Sequence, residues 1–326
     1  MPASRYVLYP IPWYSFLIVV GAALAIFLAS REEKRAGLEK DTIVDLSLWL
    51  LPCGILGARL YYVAFAWDTF RGNPISILYI WEGGLAIYGG VIAGFITVLV
   101  FARKRGIPPM ALCDVIAPGL ALAQGIGRWG NFFNMEAYGL PMPDYALCFF
   151  PLAVLIPEGN VQVWHMATFF YESVWDVGVF IALMILRRGH FRRRGDVFLF
   201  YLFLYSAGRL VIEEFRMDSL YAAEGLRVSQ LLSLALCAAV FTGLLRRRLQ
   251  EDDRRPGRGA AIASAALFYP ATLAFIAYAL RLWGQGLRVI PRGAMLGTFC
   301  LAAIGCLFLT YGKSRPEEVL YAHHRD

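Results

Sequence analysis

The stretch GRWGNFFNMEAYG, residues 127–139, places an arginine, two asparagines and a glutamate directly after the apolar run 115–126. A charged side chain near the bilayer centre costs roughly 2.5 to 3.5 kcal/mol on insertion scales, so an ionisable residue in a membrane segment predicts a functional site. The stretch therefore predicts a membrane helix that meets an aqueous surface, and a polar corner with a chemical role at that end.

The composition of the chain supports a membrane protein. Of its 326 residues, 59% are hydrophobic and 17% are charged, against roughly 45 to 50% and about 25% in soluble domains. The mean hydropathy is +0.55. The net charge of +7 comes from short basic runs between apolar stretches, a distribution that orients membrane segments. Nucleic-acid binding is therefore the weaker explanation of the basicity.

The predicted fold class is all-α, a polytopic membrane helical bundle. Apolar runs near the length of about 17 to 25 residues that a membrane helix needs cover residues 12–30, 43–66, 83–102, 110–127, 168–186, 196–214, 228–245, 262–282 and 294–311. A polar linker after residue 250 divides them into a seven-span core, 1–250, and a two-span C-terminal extension, 251–326. A small extracytoplasmic head is predicted between spans four and five.

Basic residues predict the orientation of these spans. They cluster at 31–35, 103–105, 187–194, 246–255 and 313–315, which fall in every second connection. The positive-inside rule assigns those connections to the cytoplasm, with the N-terminus outside and the C-terminus inside. The long connection 128–167 would then be extracytoplasmic, and the site would face the outer leaflet.

The first polar group lies in the opening stretch. Arg128, Asn131 and Asn134 recur at three-residue intervals and would share a face if the helix continued. The glycines within 125–130 predict instead a close approach and a change of direction, leaving a re-entrant corner for an anionic head group. The alternative is a structural ion pair at a helix end, and Glu136 belongs to the same stretch.

A second group occurs in GRLVIEEFRMDS, residues 208–219. Arg209, Glu213 and Arg216 are spaced i, i+4, i+7, which predicts a shared face turned away from lipid. Arginine binds phosphate through two parallel hydrogen bonds and stays charged, so these arginines beside Arg128 would form a phosphate clamp. The alternative is an internal Arg–Glu pair that stabilises helix packing.

Glycines dominate WEGGLAIYGGVIAG, residues 81–94. Gly90 and Gly94 at i, i+4 predict close helix packing. Tyr88 lies in the same stretch, near the predicted outer leaflet, where its phenol could donate to a lipid ester or phosphate.

Two further candidates lie in the first two spans. Arg59 is deep enough to need a partner, for which Glu82 or a lipid phosphate would serve. Tyr14 belongs to an aromatic pair that is either an interface belt or part of the site. Tyr171 and Glu172 open the fifth span, as a helix-start pair or as site residues.

Several chemistries have no motif in this sequence. The four histidines show no HExxH spacing, and there is neither a GxSxG turn nor a Walker-type phosphate loop. Zinc hydrolysis, serine hydrolysis and ATP-driven mechanisms are therefore unsupported. We predict neither a metal nor a cofactor.

With these residues in view, the chain resembles the bacterial prolipoprotein diacylglyceryl transferases over roughly residues 10–245. The resemblance rests on GRWGNFFNMEAYG together with WEGGLAIYGGVIAG, DVIAPGLALAQGIGR, FFYESVWD, GDVFLFYLFLYSAGRLVIEEFRMDS and LRVSQLLS, which occur in the family's order. It implies an enzyme of the bacterial cytoplasmic (inner) membrane that moves diacylglyceryl from phosphatidylglycerol to the lipobox cysteine of prolipoproteins and releases glycerol 1-phosphate. Its expected partners are phosphatidylglycerol, prolipoprotein signal peptides and membrane lipids, with no nucleic acid.

The resemblance also implies roles for individual residues. Arg128 and Arg209 would be essential head-group arginines, and Tyr14 would line the site. The predicted catalytic set is Arg128, Arg209, Glu136, Glu213 and Tyr88. The predicted substrate-binding set is Arg128, Asn131, Asn134, Gly139, Arg209, Arg216, Tyr14 and Arg59.

Two features depart from the family pattern. Well-known members carry histidine at the position of Tyr88, and the family core ends before the extension. The general base is therefore open: a carboxylate, Glu136 or Glu213, is favoured over the phenol of Tyr88. The rival functions are a non-catalytic or substrate-altered lipid-binding paralogue and a transporter of an anionic solute or lipid.

Overall fold

The computed structural model describes residues 4–188, 193–219, 221–223, 226–250, 258–283 and 303–305. The α-helices in these ranges are α1 (Trp13–Glu32), α2 (Thr42–Phe65), α3 (Trp67–Phe70), α4 (Ile87–Arg105), α5 (Pro109–Asn134), α6 (Thr168–Leu186), α7 (Asp196–Ile212), α8 (Val228–Leu249) and α9 (Arg258–Trp283). Six of them, α1, α2, α4, α5, α6 and α8, are long and apolar enough to cross a membrane. The predicted all-α polytopic membrane fold is confirmed.

The remaining predicted spans have different outcomes. The sixth corresponds to α7, which has 17 residues. The eighth corresponds to α9, which contains the apolar segment Ala261–Pro270. The ninth, 294–311, lies outside the described residues except for 303–305.

The strands described form three short antiparallel pairs: β1 (Tyr6–Leu8) with β2 (Ile11–Pro12), β3 (Ala153–Glu158) with β4 (Val161–Met166), and β5 (Tyr221–Ala223) with β6 (Leu226–Arg227). The β3–β4 hairpin turns at Gly159, whose φ of +62° favours glycine. Val154 and Ile156 of β3 pack with Phe169 of α6 in a small apolar core. This hairpin is the predicted head between the fourth and fifth spans.

The chain divides into two compact units, one of residues 1–25 and 117–325 and one built from residues 26–116. The predicted boundary near residue 250 does not coincide with either edge of these units, and it stays a prediction.

In the unit 26–116, α2 and α4 pack backbone to backbone. A Cβ added at Gly57 would lie 2.7 Å from the carbonyl oxygen of Gly89, and one at Gly89 would overlap the carbonyl oxygen of Gly57. The predicted small-residue contact is therefore present, but its closest point is Gly89. Gly90 and Gly94 make looser contacts, since a Cβ added at each would lie 3.4 Å and 3.5 Å from the nearest atoms of α2.

Arg59 of α2 holds the loop that precedes α4. It is 5% exposed. Its guanidinium donates to the backbone carbonyls of Ser76, Ile77, Tyr79, Gly83 and Gly84, at 2.7 to 3.4 Å. The expectation that Glu82 would balance it is wrong, because the loop carbonyls occupy its N–H donors. Its predicted role in substrate binding gains no support from these contacts.

In the other unit, small residues bring α1 and α5 together. A Cβ added at Gly119 would lie 2.9 Å from the Cα of Ala25, and one at Gly21 would lie 3.2 Å from the Cα of Ala123. Farther along, Gly130 lies against Tyr14, with 2.6 Å from an added Cβ to the ring. Such contacts let two backbones approach without large side chains between them.

The predicted change of direction at the glycines of α5 is wrong. The helix continues through Arg128 to Asn134, because the glycines serve close packing while the helical hydrogen bonds persist. The chain turns after Asn134, where Met135 and Ala137 both adopt φ of +53°.

The apolar core of this unit surrounds α7. Phe200 and Phe203 of α7 are fully buried with Phe241 and Leu244 of α8 and Leu183 of α6. The extension joins this core, since Phe268 of α9 stacks on Phe241 with ring centroids 4.0 Å apart.

The α2–α4 contact yields a stability prediction. Gly89→Ala should lower the melting temperature of the purified protein by several degrees, because overpacking typically costs about 1 to 3 kcal/mol. Gly94→Ala is the matched control, since its added Cβ meets only the end of the flexible Leu50 side chain at 3.5 Å. Thermal unfolding in detergent measures both, and equal melting temperatures would contradict the packing argument.

Candidate functional site

A single buried carboxylate, Glu172, organises the polar site. It lies near the start of α6 and is 4% exposed. Its Oε2 is 2.7 Å from Nε of Arg128 on α5, its Oε1 pairs with Arg209 on α7, and Arg216 donates to the same Oε1 at 3.1 Å. Three arginines from three parts of the chain therefore converge on one acid.

Two of these arginines have a second carboxylate partner. Arg209 lies 2.7 Å from Oε2 of Glu213, which is 2% exposed. Arg216 donates to both carboxylate oxygens of Asp218, at 2.9 and 2.6 Å. Three guanidinium groups thus meet three carboxylates, which limits the cost of burying the charges in an apolar bundle.

The arrangement differs in one respect from the predicted helix face. Arg209 and Glu213 are bonded as i, i+4 neighbours. However, α7 ends at Ile212, a 3₁₀ turn covers Glu213–Phe215, and Arg216 is extended at φ −78° and ψ 144°. Arg216 therefore reaches Glu172 from an extended segment and not from a shared helix face.

Arg128 is the arginine with unused donors. Its side chain is 21% exposed, and its Nε makes the contact with Glu172. Among the described residues, neither of its terminal nitrogens makes a hydrogen bond. A guanidinium with two free terminal nitrogens can donate to a pair of phosphate oxygens.

The Arg216–Asp218 pair lies outside the spanning helices and is held ionised. Burial lowers the pKa of Arg216, but its hydrogen bonds to Asp218 and the charge of Glu172 raise that pKa above its ordinary value overall. Burial raises the pKa of Asp218, yet the hydrogen bonds and charge of Arg216 bring it below its ordinary value. Arg216 therefore keeps its positive charge beside Glu172 at any accessible pH.

The loop after α5 places Gly139 beside Arg216. Gly139 pairs with Arg216 in an isolated antiparallel bridge, and the N–H of Leu140 donates to the carbonyl of Phe215 at 2.8 Å. A Cβ at Gly139 would lie 2.7 Å from that carbonyl oxygen and from Cγ2 of Thr168. Only glycine fits, which ties the 127–139 stretch to the segment after α7.

The other polar residues of the opening stretch are Asn131, Asn134 and Glu136, of which both asparagines are half-buried. Asn134 donates to Oε1 of Glu136 at 3.1 Å, and Glu136 is exposed. Asn131 and Glu136 line the same small pocket under the β3 strand. The ion-pair partner of Arg128 is therefore Glu172, and Glu136 bonds an asparagine.

Tyr14 is brought to this site by the α1–α5 contact. It is 38% exposed, packs on Gly130, and lies within electrostatic range of Arg128 and Glu136. The predicted residues Tyr88 and Arg59 belong to the unit 26–116. There Tyr88 is 47% exposed, with its ring centroid 6.5 Å from that of Tyr61.

Two acidic residues of α6 were underweighted in the prediction from sequence. The sequence leaves Glu172 open between a helix-start pair and a site residue, and Asp176, one turn later and 3% exposed, is absent from the predicted site. Asp176 lies within electrostatic range of Arg128 and Arg209. The available signal was FFYESVWD, which puts two acids four residues apart at the start of an apolar span, an arrangement that lipid does not tolerate.

The site can bind an oxyanion with arginine donors, which are gathered around a carboxylate that is 4% exposed. In the part of the chain that the structure describes, no group of histidine, cysteine, aspartate and glutamate has the grouping of a metal site. The chemistry that fits these residues is charge stabilisation on a phosphate and proton transfer by a carboxylate.

Comparisons with known proteins agree with this chemistry. The prolipoprotein diacylglyceryl transferase family model matches residues 4–246. A phosphatidylglycerol–prolipoprotein diacylglyceryl transferase of Enterococcus faecalis is 49% identical over 243 residues, which covers 73% of this chain and 87% of that protein. Proteins of the same name are 43% identical over 239 residues in Shouchella clausii, covering 73% and 86%, and 41% identical over 244 residues in Streptococcus agalactiae, covering 74% and 94%. The chain belongs to the prolipoprotein diacylglyceryl transferase family.

Proposed function

We propose that this chain transfers the sn-1,2-diacylglyceryl group of phosphatidylglycerol to the lipobox cysteine thiol of a prolipoprotein and releases glycerol 1-phosphate. The observation that carries the proposal is the convergence of Arg128, Arg209 and Arg216 on Glu172, with the terminal nitrogens of Arg128 unused among the described contacts. The names of the relatives supply the two substrates, and the arginines supply the donors that a phosphate needs.

The reaction requires one bond to form and one to break. The cysteine sulfur attacks the glycerol carbon that bears the phosphate ester, a C–S bond forms, and the C–O bond breaks with its electrons going to the phosphate oxygen. Arg128 donates to the departing phosphate, and Arg209, whose terminal nitrogens pair with Glu172 and Glu213, adds its positive charge nearby. Preorganised donors of this kind act strongly where water is excluded.

Glu172 has a positioning role in this proposal. It holds the Nε edge of Arg128, which directs the terminal nitrogens elsewhere, and it holds Arg209 and Arg216 at the same point. Without a shared acid, three buried cations would repel one another and turn towards other partners.

For the base we propose Glu136. The substrate thiol has a pKa of about 8.5, and its proton needs an acceptor close to the arginines. Glu213 is 2% exposed and pairs with Arg209 at 2.7 Å, whereas Glu136 is exposed and bonded to Asn134, so Glu136 is the carboxylate that an incoming thiol can reach. The phenol of Tyr88 is the competing assignment.

The proposed setting is the bacterial cytoplasmic membrane, with the N-terminus outside, the C-terminus inside and the site at the outer leaflet. The alternating basic runs support this orientation. Substrates would then arrive from the surrounding lipid and from the signal peptide of a translocated prolipoprotein.

The first prediction tests the function and the clamp together. The purified chain should increase the mass of a lipobox peptide by one diacylglyceryl group when phosphatidylglycerol is supplied. Arg128→Ala should reduce this transfer by roughly 10² to 10³-fold, as removal of one preorganised donor does elsewhere. Arg71→Ala is the matched control, since Arg71 is 69% exposed and pairs only on the surface with Asp68. Near-normal turnover by Arg128→Ala would refute the clamp.

The second prediction concerns Glu172. Glu172→Gln keeps the side-chain shape but removes the charge that gathers the arginines, so transfer should fall by roughly a hundredfold or more. Steady-state transfer rates measure the loss, and elution and thermal unfolding show whether the variant is folded. Glu39→Gln, the same change at a carboxylate that is 88% exposed, should keep wild-type rates. A folded Glu172→Gln variant with an unchanged kcat would remove the positioning role.

A further inference from the structure

An apolar groove runs along α6, with α7 and Ile304 also lining it. Its volume is about 570 Å³, within the range of roughly 300 to 1,000 Å³ typical of ligand sites. Residues of α6 spaced three and four apart form its floor, and they include Tyr171, Val174, Gly178 and Ala182. Val174 is 56% exposed, so the groove is open to the surrounding lipid along part of its length.

One end of this groove adjoins the arginine cluster. Tyr171 and Ile212 line the groove, and the residue after each of them, Glu172 and Glu213, is a carboxylate that holds Arg209. Trp175 also lines the groove. Its indole donates to the carbonyl of Leu204 at 2.9 Å and packs on Gly208. A molecule with an anionic head and an apolar tail could therefore place its head at the arginine cluster and its tail in the groove.

The length of the groove identifies the kind of tail. From Phe170 to Ala182 the helix rises about 18 Å at roughly 1.5 Å per residue. One leaflet of a bilayer supplies about half of the roughly 30 Å hydrocarbon core. A single acyl chain of a membrane phospholipid thus matches the groove in length, in polarity and in the position of its charged end.

The C-terminal extension supplies part of the wall. Ile304 lines the groove together with α6 and α7, and Ala303 beside it is 4% exposed in the core that α7 and α8 share. The family match ends at residue 246, so this wall comes from beyond the matched region. The extension thereby acquires a role at the substrate and not only in packing.

We propose that the groove holds one acyl chain of the phosphatidylglycerol substrate and that Ile304 of the extension forms its outer wall. This inference rests on the function proposed above and assigns the substrate's tail at the same site. The length of the acyl chain in the groove would then contribute to substrate binding, and the extension would influence which acyl chains fit.

Gly178→Phe is the decisive variant. Among the described residues, no atom lies within 4 Å of a Cβ added at Gly178, so the added ring can occupy the groove. The KM for dipalmitoyl phosphatidylglycerol should rise at least about tenfold, the effect of losing roughly two buried methylene groups. The KM for the dioctanoyl lipid, whose chains end above Gly178, should stay as in wild type. Gly243→Phe on α8 is the matched control, because its added Cβ also meets nothing within 4 Å and it does not line the groove.

Two more variants test the contributions of α6 and of the extension to the groove separately. Ala182→Phe fills the deeper part of the groove and should reproduce the selective loss if Gly178→Phe does not fold. Ile304→Phe narrows the groove from the extension and should shift the long-chain KM in the same direction. An unchanged KM in a folded Ile304→Phe variant would overturn the role of the extension.

Binding is measured independently of transfer. Phosphatidylglycerol with brominated acyl chains, in phosphatidylcholine nanodiscs, should quench the fluorescence of Trp175, identified by its loss in Trp175→Phe. Gly178→Phe should abolish this quenching. Equal quenching by brominated phosphatidylcholine would mean that bulk lipid fills the groove, and a raised KM for the lipobox peptide alone would mean that the peptide does. Either result overturns the proposal.

Different results would contradict the transferase function and the acyl-chain groove. If wild-type protein transfers neither lipid, the proposed function fails, while head-group-selective quenching of Trp175 would still support the groove. If transfer proceeds but Gly178→Phe leaves the long-chain to short-chain ratio of KM unchanged, the groove proposal alone fails.

Discussion

The convergence of Arg128, Arg209 and Arg216 on Glu172 is the interaction on which the site depends. An unpaired charge inside a membrane bundle carries a large free-energy cost. Arginines without a carboxylate partner would therefore destabilise the helices that carry them. A shared carboxylate at 4% exposure solves the problem for three segments at once. It fixes where α5, α6 and the end of α7 meet, so the same contact stabilises the fold and aims the functional groups.

Small residues make that convergence possible. Glycines let α5 approach α1 at Gly119 and Gly130, and Ser173 of α6 donates to the carbonyl of Gly125 on α5 at 2.8 Å. Gly139 does the same for the loop, because no side chain fits between it and Phe215. Close backbones leave little room for water, and this is the condition under which arginine donors act strongly on a phosphate.

The apolar runs predicted most helices well, and the predicted span 168–186 coincides with α6, because hydrophobic length is a local property. Features set by tertiary contacts were not accessible in this way. The glycines of α5 locally favour a turn, but packing against α1 and α6 overrides that preference and the helix continues to Asn134. Arg59 pairs with loop carbonyls, which carry no sequence signal at all. For the site, Arg128 and Arg209 were visible as charges out of place, whereas their common partner Glu172 required the fold.

The three arginines are paired unequally, so two of them anchor the cluster and the third can bind substrate. A fully paired arginine has no donor left for substrate, and an unpaired one could hardly be buried. Arg209 and Arg216 each have a second acid, Glu213 and Asp218, and these pairs anchor the cluster. Arg128 contacts Glu172 through Nε, so its charge is stabilised while its terminal nitrogens, which make no hydrogen bond to a described residue, can meet a phosphate. When that phosphate arrives, its oxygens meet the terminal nitrogens of Arg128, which make no hydrogen bond to a described residue, so the anion binds without displacing Glu172.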